Sequence, residues 1–168
     1  MKNINTIVLD TTYVLPLFGI KIKLSQKFQD EIKILWKNGI KGYDIYLPST
    51  CLLETVFKLL HEYRKIPDFN ILKRYQLILP TVLNSPVKIF NSELNPKASL
   101  IASIIRHSGH LDFLDCWIAG TATTLKGILV TEDKELEKVL LGIPETKSLV
   151  TWSWNDIITK IGLLKEEK

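Results

Sequence analysis

The chain has 168 residues, a length that fits one domain, and its 46% hydrophobic and 24% charged residues exclude an intrinsically disordered protein. The net charge of +4 at pH 7 is compatible with an anionic partner such as a nucleic acid but does not require one. No apolar run approaches the roughly 20 residues of a membrane helix, and no signal-peptide pattern is present, so we expect a cytoplasmic protein without a membrane partner.

The first part of the chain predicts two strands separated by a helix. Residues 7–9 form an uninterrupted apolar run that ends at Asp10, which is typical of a central strand covered on both faces. Apolar residues then recur at helical spacing over residues 25–36, and Asn38-Gly39 ends this segment. Residues 43–47 predict the second strand.

A helix follows directly, with Pro48 at its start and Ser49 or Thr50 as its predicted N-cap. Its predicted buried face consists of six residues: Leu52, Leu53, Val56, Phe57, Leu59 and Leu60. The later predicted helices cover residues 70–83, 96–107, 112–125, 133–141 and 155–164, and the later strands cover residues 87–90, 128–130 and 148–150.

This alternation of strands and helices predicts an α/β fold, a three-layer α/β/α sandwich around a central, mostly parallel sheet of about five strands. Because no repeat, low-complexity linker or composition shift divides the chain, we predict a single domain over residues 1–168. The helix over residues 112–125 has small residues in its middle, which predicts close packing against neighbouring backbone.

The chain contains two cysteines, Cys51 and Cys116, which are too few for a disulfide framework and lack the spacing of a zinc site. We interpret them as two small buried apolar residues, with a single buried disulfide as the alternative.

Four carboxylates are predicted to lie at one edge of the sheet. Asp10 follows the first strand, and Asp133 follows the strand over residues 128–130. Glu54 lies in the first turns of the helix after the second strand, and Asp115 lies in the first turn of the helix over residues 112–125. Because ligands of open parallel sheets bind beyond the carboxyl ends of the strands, we expect all four to converge.

Each carboxylate also has a structural interpretation. Asp10 can end a strand in a turn, and Asp133 can cap a helix. Asp112 can be an N-cap with Asp115 completing a capping box, and Glu54 can be a solvated helix residue. Four converging carboxylates, however, repel one another unless a cation neutralises them.

Oxygen ligands suit Mg²⁺ or Mn²⁺, and the absence of a His/Cys cluster from the sequence argues against zinc. Such a site favours phosphodiester hydrolysis, because a divalent ion polarises the phosphoryl oxygen and lowers the pKa of water. The sequence has neither a P-loop nor a dinucleotide-binding glycine motif, and it lacks the nucleophile elbow of serine hydrolases.

Four segments, in order, resemble a PIN domain, and within that superfamily the VapC-type toxins of toxin–antitoxin pairs. The segments are residues 8–12, 48–54, 115–122 and 129–136, and each contains one of the four carboxylates. The resemblance extends from Ile7 to about Trp154. Segments at residues 21–42 and 67–86 are longer than in a compact toxin of this kind.

The resemblance implies an endoribonuclease that uses Mg²⁺ or Mn²⁺, with Asp10, Glu54, Asp115 and Asp133 as metal ligands and catalytic residues. It assigns supporting roles next to these carboxylates to Thr12 and Thr131, and Asp112 lies where many relatives have a helix cap. It also implies a homodimer, and for toxin members an antitoxin whose tail covers the acidic pocket.

Several basic residues are candidates to hold RNA phosphates: Lys58, Arg106 and Lys134. Two histidines, His61 and His110, are candidates for proton transfer, although metal-activated water needs no histidine. Two alternatives to the ribonuclease stay open: a PIN-like RNA-binding or RNA-processing module with little turnover, and a DNA-directed nuclease of similar fold.

Overall fold

A computed structural model of the protein describes residues 5–161. Within this range, five parallel strands form one sheet in the order β3-β2-β1-β4-β5. The strands are β1 (Thr6–Leu9), β2 (Asp44–Pro48), β3 (Lys88–Phe90), β4 (Ile128–Val130) and β5 (Val150–Trp152). The predicted parallel α/β fold is therefore confirmed, and the prediction of a single domain over residues 1–168 stays a prediction.

Seven helices occur in the described part of the chain, and they flank the sheet. They are α1 (Gln26–Asn38), α2 (Ser49–Lys65), α3 (Phe69–Leu83), α4 (Pro96–His107), α5 (Phe113–Leu125), α6 (Lys134–Leu141) and α7 (Trp154–Ile161). Two short 3₁₀ helices, Thr11–Tyr13 and Leu15–Phe18, follow β1 directly. None of the described helices has both the length and the apolar composition needed to cross a membrane.

The central strands are covered on both faces, as the apolar run predicted. Ile7, Val8 and Leu9 of β1 are fully buried, and so are Leu129 and Val130 of β4. The chain connects β1 to β2 on one side, and β4 pairs with β1 on the other, so the strand order reverses between β1 and β4. Ligands of open α/β sheets bind at such a switch point, which here lies between Asp10 and Asp133.

Helix α5 packs closely on α4, as its small residues predicted. A Cβ atom added to Gly120 would lie 2.6 Å from the carbonyl oxygen of Ala98 on α4. Only glycine allows this approach of the two backbones in the middle of α5.

The predicted cap and buried face of α2 are wrong in part. Pro48 is the N-cap residue and no side chain caps the helix, because the Ser49 hydroxyl instead contacts Glu93 and accepts a hydrogen bond from the Ser92 amide. Leu53 and Phe57 are about half exposed, at 49% and 52%. The buried residues of α2 are Thr50, Cys51, Thr55 and Leu59.

Small side chains explain this shift of the buried face. The Cys51 thiol lies 3.8 Å from the Leu9 carbonyl at the end of β1, and the residues of α2 that are buried are mostly small. Both cysteines are buried and free, so the prediction of two small buried residues is confirmed.

Two predicted segments near the C-terminus differ from the structure. The last strand, predicted over residues 148–150, begins two residues later as Val150–Trp152. The last helix, predicted over residues 155–164, begins at Trp154, and residues 162–164 of that prediction lie outside the described residues.

Candidate acidic active site

A cleft of about 540 Å³ lies at the carboxyl edge of the sheet, and all four predicted carboxylates line it. We call it the acidic cleft and define it by these residues: Asp10, Glu54, Asp115 and Asp133. Thr12, Asp112 and Lys58 also line the cleft. The structure therefore brings together side chains that are up to 123 positions apart in the chain.

Asp10 is the most enclosed of the four. Its Oδ2 accepts a hydrogen bond of 2.7 Å from the Thr131 hydroxyl, and its Oδ1 accepts one of 3.4 Å from the Thr12 amide. Burial raises the pKa of Asp10 to about 6, and the charge of Glu54 adds to the rise, while the hydrogen bond from Thr131 opposes it. Thr131 also accepts a hydrogen bond of 3.1 Å from the Asp133 amide, so one hydroxyl connects the ends of β1 and β4.

Asp115 has a more strongly raised pKa. Burial raises the pKa of its carboxyl to about 8, and the negative charges of Asp10, Asp112, Glu54 and Asp133 add to the rise. Asp115 therefore binds a proton near neutral pH unless another cation takes its place. Raised pKa values of this kind are frequent at functional sites.

Asp112 and Asp133 cap helices, as the sequence indicated. The Oδ1 of Asp112 accepts a hydrogen bond of 2.9 Å from the Leu114 amide at the start of α5. The Oδ1 of Asp133 accepts hydrogen bonds of 2.8 and 2.9 Å from the Glu135 and Leu136 amides at the start of α6. The caps fix both side chains, and the Oδ2 of Asp133 remains directed toward the acidic cleft.

His110 joins this group, although the sequence indicated no histidine among the ligands. Its Nε2 lies 3.3 Å from Asp115 Oδ2 and 3.9 Å from Asp133 Oδ2. The side chain is only 7% exposed. Its position five residues before Asp115, in the loop that leads into α5, was the available signal, because that loop ends at the same edge of the sheet.

The predicted phosphate contacts differ in their placement. Lys58 lies in the cleft, with its Nζ 3.4 Å from Glu54 Oε1. Arg106 instead donates a hydrogen bond of 3.1 Å to the His110 carbonyl, and Lys134 pairs with Glu137 at 3.0 Å. Neither Arg106 nor Lys134 lines the acidic cleft, so their contact with RNA stays a prediction.

Two lysines that sequence reasoning missed lie at the rim of the cleft. Lys21 and Lys23 belong to the segment between the second 3₁₀ helix and α1, and both are exposed. Between and after them, the less exposed Ile22 and Leu24 also line the cleft. The alternation of lysine with apolar residues was the available signal, but nothing in it indicated which edge of the sheet this segment approaches.

Glu132 connects the cleft to the C-terminal helix. Its Oε1 accepts hydrogen bonds of 2.8 Å from the Tyr13 hydroxyl and of 2.8 Å from the Trp154 amide. Burial raises the pKa of Tyr13 above its ordinary value, and the adjacent Glu132 carboxylate raises it further. The segment that contains Asp133 is thus attached both to the turn after β1 and to α7.

The donor set of the acidic cleft fits a divalent cation. Glu54 Oε2 is buried and has no hydrogen-bond partner among residues 5–161. An unpaired carboxylate oxygen in a buried position is costly, and a cation bound between Glu54, Asp10 and Asp115 removes that cost. Carboxylate oxygens are the ligands that Mg²⁺ and Mn²⁺ prefer.

Comparisons with known proteins agree with this architecture. A family model described as the PIN domain matches residues 7–140, whereas no curated protein matches the chain. The crystal structure of VapBC2 from Rickettsia felis bound to a fragment of its promoter contains a chain that is 18% identical, with a TM-score of 0.56 over 89% of this chain and 98% of that chain.

Two further solved structures are similar at the level of the fold. A chain of DNA-bound VapBC from Salmonella typhimurium is 12% identical, with a TM-score of 0.57 over 89% of this chain and 98% of that chain. A chain of FitAB bound to the IR36 DNA fragment is 17% identical, with a TM-score of 0.55 over 88% of this chain and 94% of that chain.

Proposed function

The chain belongs to the PIN domain family, as its four acidic segments predicted, and from this premise we propose that it is a divalent-metal-dependent endoribonuclease that acts as the toxin of a toxin–antitoxin pair. The convergence of Asp10, Glu54, Asp115 and Asp133 in one cleft is the observation that carries the proposal. Four carboxylates at the switch point of a parallel sheet form a site for a cation, and a bound cation attracts phosphate.

We assign the following roles to residues at the proposed metal site. Asp10, Glu54, Asp115 and Asp133 hold Mg²⁺ or Mn²⁺, and Thr131 fixes the orientation of the Asp10 carboxylate. The Thr12 amide holds the second oxygen of Asp10. When bound, the ion supplies Lewis-acid chemistry at the phosphodiester and lowers the pKa of water. The backbone amides that bind Asp133 keep its carboxylate in place while substrate enters.

RNA is the proposed substrate because lysines that can bind its phosphates line the acidic cleft. Lys21, Lys23 and Lys58 line the cleft, and a net charge of +4 favours a polyanion. Lysines that contact phosphates give affinity that is independent of base sequence and falls with salt. The choice of RNA over DNA follows from the resemblance to VapC-type toxins.

An antitoxin and a second copy of the chain are the proposed partners, and the cytoplasm is the proposed location. The similar solved structures are VapBC and FitAB assemblies on DNA. Large apolar side chains are exposed on α2, α3 and the turn between them, where a protein partner would cover them. They are Leu53, Phe57, Ile66, Phe69, Leu77 and Leu83.

A cleavage assay tests the enzyme. The purified chain is incubated with single-stranded RNA and Mg²⁺ or Mn²⁺, and it is compared with Asp10→Asn, Asp115→Asn and metal-free protein. We expect cleavage by the parent only, while circular dichroism shows that both variants are folded. Equal cleavage by parent and variants would refute the metal site, RNA binding without cleavage would indicate a binding module, and preferential cleavage of DNA would indicate a DNA-directed nuclease.

Growth assays and light scattering test the partners. Induction of the parent chain in a bacterial host should arrest growth, Asp10→Asn should not, and co-expression of a neighbouring small reading frame should restore growth. Size-exclusion chromatography with light scattering should give the mass of a dimer, near twice 19.3 kDa. Unimpaired growth, or a monomer at micromolar concentration, would contradict the corresponding part of the proposal.

A further inference from the structure

His110 occupies a position that packing alone does not explain. The imidazole is 93% buried, and its ring nitrogen faces two carboxylates: Nε2 lies 3.3 Å from Asp115 Oδ2 and 3.9 Å from Asp133 Oδ2. A ligand atom from each of these three residues lies within 4.8 Å of the other two. They are therefore close enough to contact one common ion.

The backbone holds His110 in this orientation. Gly109, directly before it, has a φ of +114°, a conformation that residues with a Cβ atom rarely adopt. The Arg106 side chain of α4 donates a hydrogen bond of 3.1 Å to the His110 carbonyl. The turn between α4 and α5 thus presents the imidazole to Asp115.

We propose that His110 is a nitrogen ligand of the metal ion, together with Asp115 and Asp133, and that it makes the site select Mn²⁺ over Mg²⁺. The inference rests on the proposed metal site and deepens it. Imidazole nitrogen suits the first-row transition ions, whereas Mg²⁺ prefers oxygen ligands and retains its water.

The distances are consistent with shared ligation. Ligand atoms about 2.1 Å from one ion, at neighbouring positions of its coordination shell, lie about 3 Å from each other. The His110–Asp115 distance of 3.3 Å is already close to this value, and the His110–Asp133 distance of 3.9 Å requires a shift of less than 1 Å. The Asp133 cap leaves Oδ2 as the free oxygen for this contact.

Metal binding to the whole chain tests the inference without any activity measurement. Electron spin-echo spectroscopy of the Mn²⁺-loaded parent should show coupling to a ¹⁴N nucleus. In His110→Gln the coupling should be absent, because the amide keeps a hydrogen-bond donor near Asp115 but removes the imidazole nitrogen. A parent spectrum without nitrogen coupling would overturn the proposal, and this readout does not depend on the folding of a variant.

Calorimetric titration measures the selectivity. In His110→Gln we expect the Kd for Mn²⁺ to rise about 10- to 100-fold and the Kd for Mg²⁺ to change less than about threefold. His61→Gln, an exposed histidine on α2, is the matched control and should leave both constants unchanged. An equal loss of affinity for both ions would show that His110 only positions Asp115, and it would overturn the selectivity.

The failure of this inference is distinguishable from failure of the proposed function. If His110→Gln binds both ions like the parent and the parent cleaves RNA, only the histidine ligand is wrong. If the parent binds neither ion, and Asp115→Asn behaves identically, the metal site itself is wrong.

Discussion

The two edges of the sheet contain clefts of opposite character. The cleft at the amino edge is the larger, at about 800 Å³, and we call it the apolar cleft. The residues that define it include Thr6, Leu100, Ile104, Gly127 and Val150. The acidic cleft at the carboxyl edge is smaller, at about 540 Å³, but it holds the four converging carboxylates. The proposed active site is therefore the smaller of the two clefts, and it is distinguished by the convergence of carboxylates rather than by cavity size.

The same two edges differ in what they contribute to stability. At the amino edge, the backbone before β4 approaches β1 so closely that a Cβ on Gly127 would lie 2.9 Å from Thr6 Cγ2 and 3.1 Å from the Thr6 carbonyl oxygen. At the carboxyl edge, carboxylates with raised pKa values oppose folding in the absence of a cation. The amino edge is closely packed, whereas the carboxyl edge retains carboxylate repulsion that the proposed cation would relieve.

The largest expected effect is on the rate of RNA cleavage, which a substitution in the acidic cleft should lower and one in the apolar cleft should not. Glu54→Gln removes a proposed ligand of the acidic cleft and should lower the rate of RNA cleavage at least about 100-fold. Glu145→Gln makes the same chemical change at the apolar cleft and should leave the rate within twofold, roughly the scatter of context-dependent surface effects. Comparable losses in both variants, measured as kcat/KM, would remove the functional distinction between the edges.

The next effect is on Mn²⁺ affinity and concerns the Thr131 hydroxyl that donates a hydrogen bond to Asp10. Thr131→Val retains the shape of a fully buried side chain but removes the hydrogen bonds with Asp10 Oδ2 and the Asp133 amide. We expect a 10- to 100-fold loss of Mn²⁺ affinity in calorimetry. Thr131→Ser restores the hydroxyl and should recover most of the affinity; failure of this rescue would indicate a packing role.

At the amino edge, a substitution should change the stability of the fold and leave metal affinity unchanged. Gly127→Ala forces its Cβ against Thr6 and should lower the free energy of unfolding by about 1–3 kcal/mol in urea titrations. Metal affinity of the folded protein should not change. Gly142→Ala is the control, because its nearest neighbour lies at 3.4 Å and its φ of −82° suits alanine.

Measuring the stability of the metal-free protein as a function of pH tests the carboxylate repulsion at the carboxyl edge. Because the pKa values of Asp10 and Asp115 are raised to about 6 and about 8, the folded protein binds more protons than the unfolded chain between pH 4 and 8. Stability of the metal-free protein should therefore fall as pH rises through this range. Asp115→Asn should raise the Tm at pH 8 by a few degrees, corresponding to about 1–2 kcal/mol, and should have little effect at pH 4.

The control for this series is again Glu145→Gln, which should follow the parent at every pH. A Tm of the parent that rises with pH in metal-free buffer would contradict the sign. So would a stabilisation by Asp115→Asn that is as large at pH 4 as at pH 8.

The smallest expected effect is on RNA binding by Lys21 and Lys23, the two lysines at the rim of the acidic cleft. Replacing Lys21 and Lys23 together by glutamine should weaken RNA binding several-fold at 100 mM salt and reduce the dependence of log Kd on log salt by about one to two units. Replacing Lys97 and Lys126 at the apolar cleft removes the same charge and should change neither quantity. Equal weakening by both pairs, measured by fluorescence anisotropy, would mean that net charge alone attracts RNA.

Much of the fold and the acidic cleft was predictable because the signals are local. An apolar run followed by a carboxylate, as in residues 7–10, places that carboxylate at the end of a strand whatever surrounds it. Parallel strands then bring Asp10 and Asp133 to the same edge, because every such strand points in the same direction. The caps at Asp112 and Asp133 are local for the same reason, since each side chain binds amides two or three residues away.

Only the tertiary structure decided which partners distant segments would meet. The buried face of α2 depends on the Leu9 carbonyl beside Cys51, and nothing in the helix itself indicates that small residues face inward there. Lys21 and Lys23 lie in a segment whose alternation of lysine and apolar residues does not indicate which edge of the sheet it approaches. His110 meets Asp133 because two loops, 23 residues apart in the chain, end at the same point of the sheet. Periodicity and spacing determine local geometry, whereas contacts between loops depend on how the packed elements position them.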